Sequence, residues 1–551
     1  MKRFFKLLTF ISSVSALAQA PSDMKVSTQT DPGADEGEAR IVINPNDSAK
    51  MVIGFMDVTA TGVSYEVYTS SNGGGSWQAS AFSAAAPIQT DFPGFIVAGG
   101  GDFLMAYDKT GKLYCTWIYL LANPTLANYI DSLQWVSYWA TSTDNGQTFV
   151  LEPGANHFWG RGNIAYNTSN GKITVHNYAD GNCDRDWLAV DLTNGPNANN
   201  LYVGYINYPY NTLATGLKVK TKTLSSTVFS TPATAYPGTG QLSNLLVDGN
   251  GVLHYSFADL ASNTLYHVSS SDGAHTFSSP SVIAHAIRVF PDSAQFVNNR
   301  ENAAPSLASD QQNNLFIVWN DFPVNAFPKA YYSKSTDGGM TWTAPLDLST
   351  QFNGHVFMPT VSARNNRVSV SANILDNAQK SSYYVLSSSD NGSSFSSPVQ
   401  VSSGVTDFGA IGKKVFVGDY STSVRNSCTI YSAWTDARAN GRKQYISRYN
   451  ECSAMGIAEF SPVNSTFSLE ATYPNPTFNS IHFTVNSSIA DVVSIEIVNL
   501  LGQTVLGKNQ AVAEGKSVIS LDLDEISAGD YLLKLTNKAQ DVITRLISKR
   551  N

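Results

Sequence analysis

The sequence predicts an all-β protein: a ring of four-stranded units, a β-propeller, followed by a small β-sandwich. Three observations carry this expectation. The 551 residues are 42% hydrophobic and 11% aromatic but only 14% charged, well below the ~25% charged residues usual in soluble domains. That balance suits extended strands and tight turns; disorder would need more charge and coiled coil more Glu, Lys and Leu. One eight-residue pattern recurs five times along the chain. Around each copy lies a longer unit of four short apolar runs, and units of ~40 to 60 residues with four strands are propeller blades.

In chain order, residues 1–20 read as a secretory signal peptide. Lys2, Arg3 and Lys6 precede an apolar stretch from Leu7 to Ala18, and Ala18-Gln-Ala20 is a small-residue cleavage site. The net charge of −8 becomes −11 without that stretch, which holds three basic residues and no acid. An acidic chain lacks the basic footprint of a nucleic-acid binder, so no nucleic-acid partner is expected. No later apolar run reaches the ~18 residues of a membrane helix. The next stretch, Met24 to Gln29, is strand-like and belongs to no repeat.

The recurring pattern is Ser70-Ser-Asn72-Gly-Gly74-Gly-Ser-Trp77, Ser142-Thr-Asp144-Asn-Gly146-Gln-Thr-Phe149, Ser270-Ser-Asp272-Gly-Ala274-His-Thr-Phe277, Ser335-Thr-Asp337-Gly-Gly339-Met-Thr-Trp342 and Ser388-Ser-Asp390-Asn-Gly392-Ser-Ser-Phe395. Its physics is that of a rigid hairpin turn. The acid accepts backbone N–H groups, glycine permits positive φ, and the aromatic packs back on the sheet. Five copies assign these acids a structural role, because a fold uses a residue in every repeat and an active centre uses it once. Read as Ser-x-Asp-x-Gly-x-x-Trp/Phe, the pattern resembles the Asp-box of the sialidase-like propeller families, with Asn72 and Ala274 as departures.

Seven units follow, beginning near Arg40, Phe103, Trp187, Leu242, Ala304, Met358 and Phe416. The third has only a degenerate turn, Ser225 to Phe229. The seventh lacks a fourth strand, which Met24 to Gln29 would supply while protecting the ring's free edges. Seven blades are favoured, with six as the alternative because sialidases are six-bladed. The propeller is assigned residues 21–460.

From about Leu469 the composition changes. Ala471-Thr-Tyr473-Pro-Asn475-Pro476, the turn Asn499-Leu-Leu-Gly-Gln503, Gly529-Asp-Tyr531-Leu-Leu-Lys534 and a basic end at Arg545 to Asn551 together resemble the C-terminal sorting domain of the type IX secretion system. The resemblance implies a β-sandwich over residues 461–551, the secretion machinery as a partner, and a secreted or outer-membrane-surface location. A disulfide between Cys428 and Cys452 is expected, since both lie at neighbouring strand ends in a compartment that permits it. Cys115 and Cys183 are expected as free buried thiols.

Position in the repeat places the chemistry. With the four strands of each unit lettered a to d in chain order, residues early on each strand a should ring a central pocket: Glu38, Arg40, Asp102, Arg185, Asp186, Arg300, Glu301, His355, Asp419 and Tyr420. Asp57, Asp259, Asp321 and Asp436 end strands b on the same face, and their repetition favours loop capping. The sialidase resemblance implies a Tyr nucleophile activated by Glu, an Asp acid and three arginines on the substrate carboxylate. Carried onto this chain it names Tyr420, Glu301 and Asp57 as catalytic, and Arg40 (within Arg40-Ile-Val42, where the family has Arg-Ile-Pro), Arg300 and Arg438 as carboxylate ligands. Arg185 and Asp186 are further substrate-binding candidates. The eight histidines show no paired spacing to Cys or acids, so neither a metal nor a cofactor is expected. The function read here is a sialidase-type glycoside hydrolase acting on a glycan or glycoprotein; the alternative is a non-catalytic propeller binding glycan or protein at the cell surface.

Overall fold

The computed structural model describes residues 23–28 and 35–550, except 60–61, 83–87, 126–132, 168–171, 179–181, 209–215, 289–299, 302–303, 324–327, 353, 377–379, 408–415, 440, 455–466, 500–502 and 539–541. The signal-peptide assignment therefore lies outside the described residues. The chain divides into two compact units, one spanning 20–449 and a second from Asn450 onward.

Among the described residues, seven antiparallel sheets form the blades of the first unit, beside one short parallel pair. Their strands a are Asp35–Asn44, Ile96–Tyr107, Asn182–Val190, Gly240–Val247, Ser306–Ser309, His355–Arg364 and Thr422–Arg425. Each strand a packs on the next, and the seventh packs on the first, so the strands close a ring of seven blades rather than six. Blade 2 carries an additional hairpin, Phe158–Asn167 with Lys172–Tyr178, on the outer side of its sheet. The core lies between blades, where alternate faces bury Trp117, Trp139, Trp319 and Trp434.

The N-terminal stretch closes the ring as expected. Met24 and Lys25 pair with Ile446 and Tyr445 on strand c of blade 7, Lys443–Asn450. Val26 is 4% exposed and the Ser27 hydroxyl donates to Glu36 at 2.6 Å. Glu36 is itself buried against the Lys443 ammonium at 3.0 Å. Deleting residues 23–28 therefore removes a buried valine, opens a sheet edge and strips a donor from a buried carboxylate. A loss of about 2–4 kcal/mol is expected, read as a lower urea midpoint.

Each box performs the turn chemistry its residues predict. Ser270 donates to Asp272 at 2.7 Å and accepts the Ala274 N–H at 3.0 Å, while Asp272 accepts the Thr276 N–H at 3.0 Å and hydroxyl at 2.6 Å. The same contacts recur at Asp144, Asp337 and Asp390, and Asn72 repeats them through its amide. Burial is the largest single effect at Asp144, Asp272 and Asp337 and pushes upward, but the bonds together outweigh it and hold the carboxyls of Asp144, Asp272, Asp337 and Asp390 below the usual range. At Gly392 the turn meets the preceding blade so closely that a Cβ would collide with the Tyr332 hydroxyl. A second repeated turn, between strands a and b, uses Asp108, Asp191, Asp248 and Asp310 to accept N–H groups two residues on.

The second unit has its own core around Ile481, Phe483, Ile495, Leu533 and Ile547. Its strands form a three-stranded sheet and a four-stranded sheet, the expected sandwich. Asn475 pairs with the last strand, donating to the Leu546 carbonyl at 2.9 Å and accepting the Ser548 N–H at 2.9 Å. Lys549 is buried and donates to the Leu523 and Ile526 carbonyls at 2.7 and 2.6 Å. Cys428 and Cys452 are disulfide-bonded, and Cys115 and Cys183 are free and buried.

Candidate functional site

Strand a shifts register at a bulge in blades 1, 2, 3, 4 and 6. At each bulge one non-glycine residue takes a left-handed backbone: Glu38 (φ 58°), Asp102 (52°), Arg185 (50°), Leu242 (52°) and Met358 (49°). Such a residue costs of order 1 kcal/mol, and a bulge re-aims its side chain. Three of the five carry charge, and these three meet.

The result is a closed circuit of buried groups. Glu38 Oε2 accepts the Asp102 N–H at 3.4 Å, and Asp102 Oδ2 accepts the Arg185 N–H at 2.9 Å. The Arg185 guanidinium reaches Asp419 Oδ2 at 3.1 Å, and the Asp419 N–H returns to Glu38 Oε1 at 3.0 Å. Four segments, from blades 1, 2 and 3 and the lead into blade 7, are tied at the ring's centre. Beside it Asp186 accepts the Thr116 hydroxyl at 2.7 Å.

Carboxylates outnumber guanidinium groups here, and burial disfavours charge, so protons are retained. Burial and the Asp419 carboxylate push Glu38 up to about 8 against the pull of Arg185. Burial likewise pushes Asp186 up to about 8 and carries Asp102 well above its ordinary value. For Arg185 burial works downward, but Asp419, Asp102 and Glu38 raise it overall.

Next to the circuit, Arg40, Trp187, Asn244, Ser306, Tyr420 and Thr422 line a cavity of about 90 Å³. The Arg40 guanidinium lies 5.0 Å from the Trp187 ring centroid, and the Trp187 and Tyr420 rings meet edge to face at 5.5 Å. Burial lowers Arg40 to about 10. Burial, then the Glu38, Asp102 and Asp186 carboxyls, hold the Tyr420 phenol well above its ordinary value.

The other sequence-predicted residues fall as follows. Arg300 and Glu301 pair in parallel with Phe416 and Gly418, so the fifth and seventh segments are hydrogen-bonded neighbours although their blades are not adjacent. The side chains of Arg300 and Glu301 lie outside the described residues. Asp57 is buried at the end of its strand b. Asp259 and Asp436 cap their loops, accepting the Ala261 and Arg438 N–H groups at 2.8 and 2.9 Å. Asp321 accepts the Arg288 N–H at 2.8 Å.

Arg438 does not line the pocket: it pairs with Asp436 at 2.9 Å and with Asp23, joining blade 7 to the N-terminal strand. Arg185 faces Asp419 rather than open space, because burial demands a counter-charge. His355 opens strand a of blade 6, outside the cavity lining.

The histidines are not all isolated. His254 lies 3.3 Å from Asp248 and 3.0 Å from His267. Among the described residues no cluster of three or more His, Cys, Asp or Glu could hold a metal ion.

Solved structures similar to the chain include a protein of unknown function from Dyadobacter fermentans (10% identity, TM-score 0.41, 78% of this chain and 98% of that one). The Trypanosoma rangeli sialidase is another (10% identity, TM-score 0.35, 86% and 90%). A third is the NanB sialidase from Streptococcus pneumoniae (11% identity, TM-score 0.38, 78% and 70%). No curated protein matches the chain. Residues 471–549 match the family described as the Secretion system C-terminal sorting domain. Among the described residues no helix is long and apolar enough to cross a membrane. The chain is thus a seven-bladed β-propeller carrying a type IX C-terminal sorting domain, which directs it to secretion or to the outer-membrane surface.

Proposed function

We propose that the propeller recognises an acidic glycan at the face where strands a begin, with Arg40 receiving its carboxylate. The observation behind this reading is the state of Arg40. Its guanidinium is partly buried on Trp187, lines the cavity with Tyr420, and has no carboxylate within ion-pair distance among the described residues. Arg185, Arg438 and Arg442 each have one. A desolvated cation without a counter-ion gains most from a ligand carboxylate, and the planar guanidinium suits bidentate contact. The cavity of about 90 Å³ has room for a ligand's carboxylate beside Arg40.

On an array carrying sialylated and uronate-bearing glycans, the wild-type protein is expected to bind. Arg40→Met should weaken binding about 10- to 100-fold while leaving the fold intact. Equal binding of the carboxylate and its methyl ester would overturn the reading.

A hydrolytic reading is favoured by the company of Tyr420, whose phenol lies among Glu38, Asp102, Asp186 and Arg40. In it Tyr420 attacks the anomeric carbon, Glu301 takes the phenolic proton and Asp57 protonates the leaving oxygen, with Arg40, Arg300 and Arg438 on the carboxylate. The position of Arg438 on Asp436 weighs against the last of these roles. Tyr420→Phe is expected to reduce cleavage of an aryl sialoside to background without lowering stability. A wild-type protein that binds acidic glycans and turns over no sialoside leaves recognition as the function.

A further inference from the structure

The repeat logic points to a second site on the opposite face of the ring. Five turns between strands c and d consume their own acid or amide; the turn of blade 3 does not. The closing bonds are equivalent, Ser230 N–H to Thr221 O at 2.8 Å and Ser278 N–H to Ser269 O at 2.8 Å. Lys222 also pairs with Leu201 as Ser270 pairs with Leu253. With six residues before the aromatic in both, Leu224 occupies the place of Asp272 and Val228 that of Thr276.

Phe229 keeps the structural duty of the turn, packing edge to face on Trp139 at 5.6 Å. Leu224 and Val228 keep none: they are 61% and 50% exposed. The neighbouring box is the one in which Ala274 replaces glycine. Both departures border one cleft of about 640 Å³, lined among others by Asn197, Thr223, Leu224, Ser225, Thr231 and His275.

Its volume lies within the ~300–1,000 Å³ range of small-molecule sites. Among the described residues no Asp, Glu, Lys or Arg lines it, whereas Asp47, Lys50 and Asp144 line the comparable cleft between blades 1 and 2. We propose that this cleft between blades 3 and 4 binds a neutral saccharide. Ser, Thr and Asn side chains both donate and accept, as sugar hydroxyls do, and Leu224 offers an aliphatic platform for the C–H face of a ring. The site is separate from Arg40 and lies on the box face.

The test is an array of neutral oligosaccharides, free of carboxylate, sulfate and phosphate, read with the full chain and followed by titration of the strongest binder. The double variant Leu224→Asp/Val228→Thr restores the acid of the box and its threonine partner, the pair that Asp272 and Thr276 form, and should fold at least as stably as the parent. Together with Ser225→Arg, which fills the cleft, it is expected to weaken binding by about tenfold or more. Arg40→Met should leave this binding unchanged, which separates the site from the acidic-glycan reading. No neutral oligosaccharide bound at millimolar concentration, binding that survives both cleft variants, or selection of peptides in place of sugars by this cleft would overturn the proposal.

Discussion

Replacing Arg185 by Met is expected to lower stability by about 3–5 kcal/mol, the cost of leaving a buried charge without its partner. The side chain is enclosed at the centre of the ring, and its guanidinium is the positive member of the circuit that includes Glu38, Asp102 and Asp419. Without it, three carboxyl groups face one another in a desolvated space, and they must take up further protons or admit water. The loss should appear as a lower urea midpoint, larger at pH 8 than at pH 5, because protonation relieves the repulsion. Adding Asp419→Asn should recover part of it, since that change removes one of the stranded charges. A midpoint unchanged by Arg185→Met would mean that the circuit does not hold the blades together.

Stability is also expected to fall by a few kcal/mol as pH rises from about 5 to 8.5. Glu38 has an ordinary value of 4.5 and is pushed up to about 8; Asp186 moves from 3.8 to about 8. Between those limits the native state holds protons that the unfolded chain has released, and stability then declines with rising pH. This contribution is fully present below the unfolded values and is lost as pH rises through about 8. The box acids work oppositely. Asp144, Asp272, Asp337 and Asp390 are held low by their turns, so their contribution is lost only as pH falls below the ordinary carboxylate range. A maximum near pH 5 follows, the reverse of a chain whose carboxylates are all stabilised as anions. Glu38→Gln should flatten the decline on the alkaline side, as shown by urea midpoints at pH 5 and 8.5. An identical slope in that variant would remove Glu38 as the source.

Local chemistry that repeats is readable from residue order alone. The box at Asp337 is legible because its bonds to Ser335 and Thr341 span a few residues and recur. The turn acids Asp108, Asp248 and Asp310 carried a similar local signal, each followed within a few residues by Gly or Asn, that could have revealed them. The ring closure by Met24 and Lys25 was legible by counting, since seven units lacked one strand. The pocket residues Arg40 and Tyr420 followed from their place early in a blade.

Which charges are spent on one another depends on the assembled ring. Glu38 and Asp419 are 381 positions apart, and nothing in either neighbourhood marks them as partners. The same is true of Arg438 and Asp23, and of the His254 and His267 rings, which face each other only because strands b and c are in register. The bulges that aim Glu38, Asp102 and Arg185 inward occur at non-glycine residues, which carry no local sign of positive φ. Hydrogen bonds within a turn are encoded by neighbours, whereas pairing of buried charge is imposed by the low dielectric at the centre of a closed ring, which exists only once all seven blades have assembled.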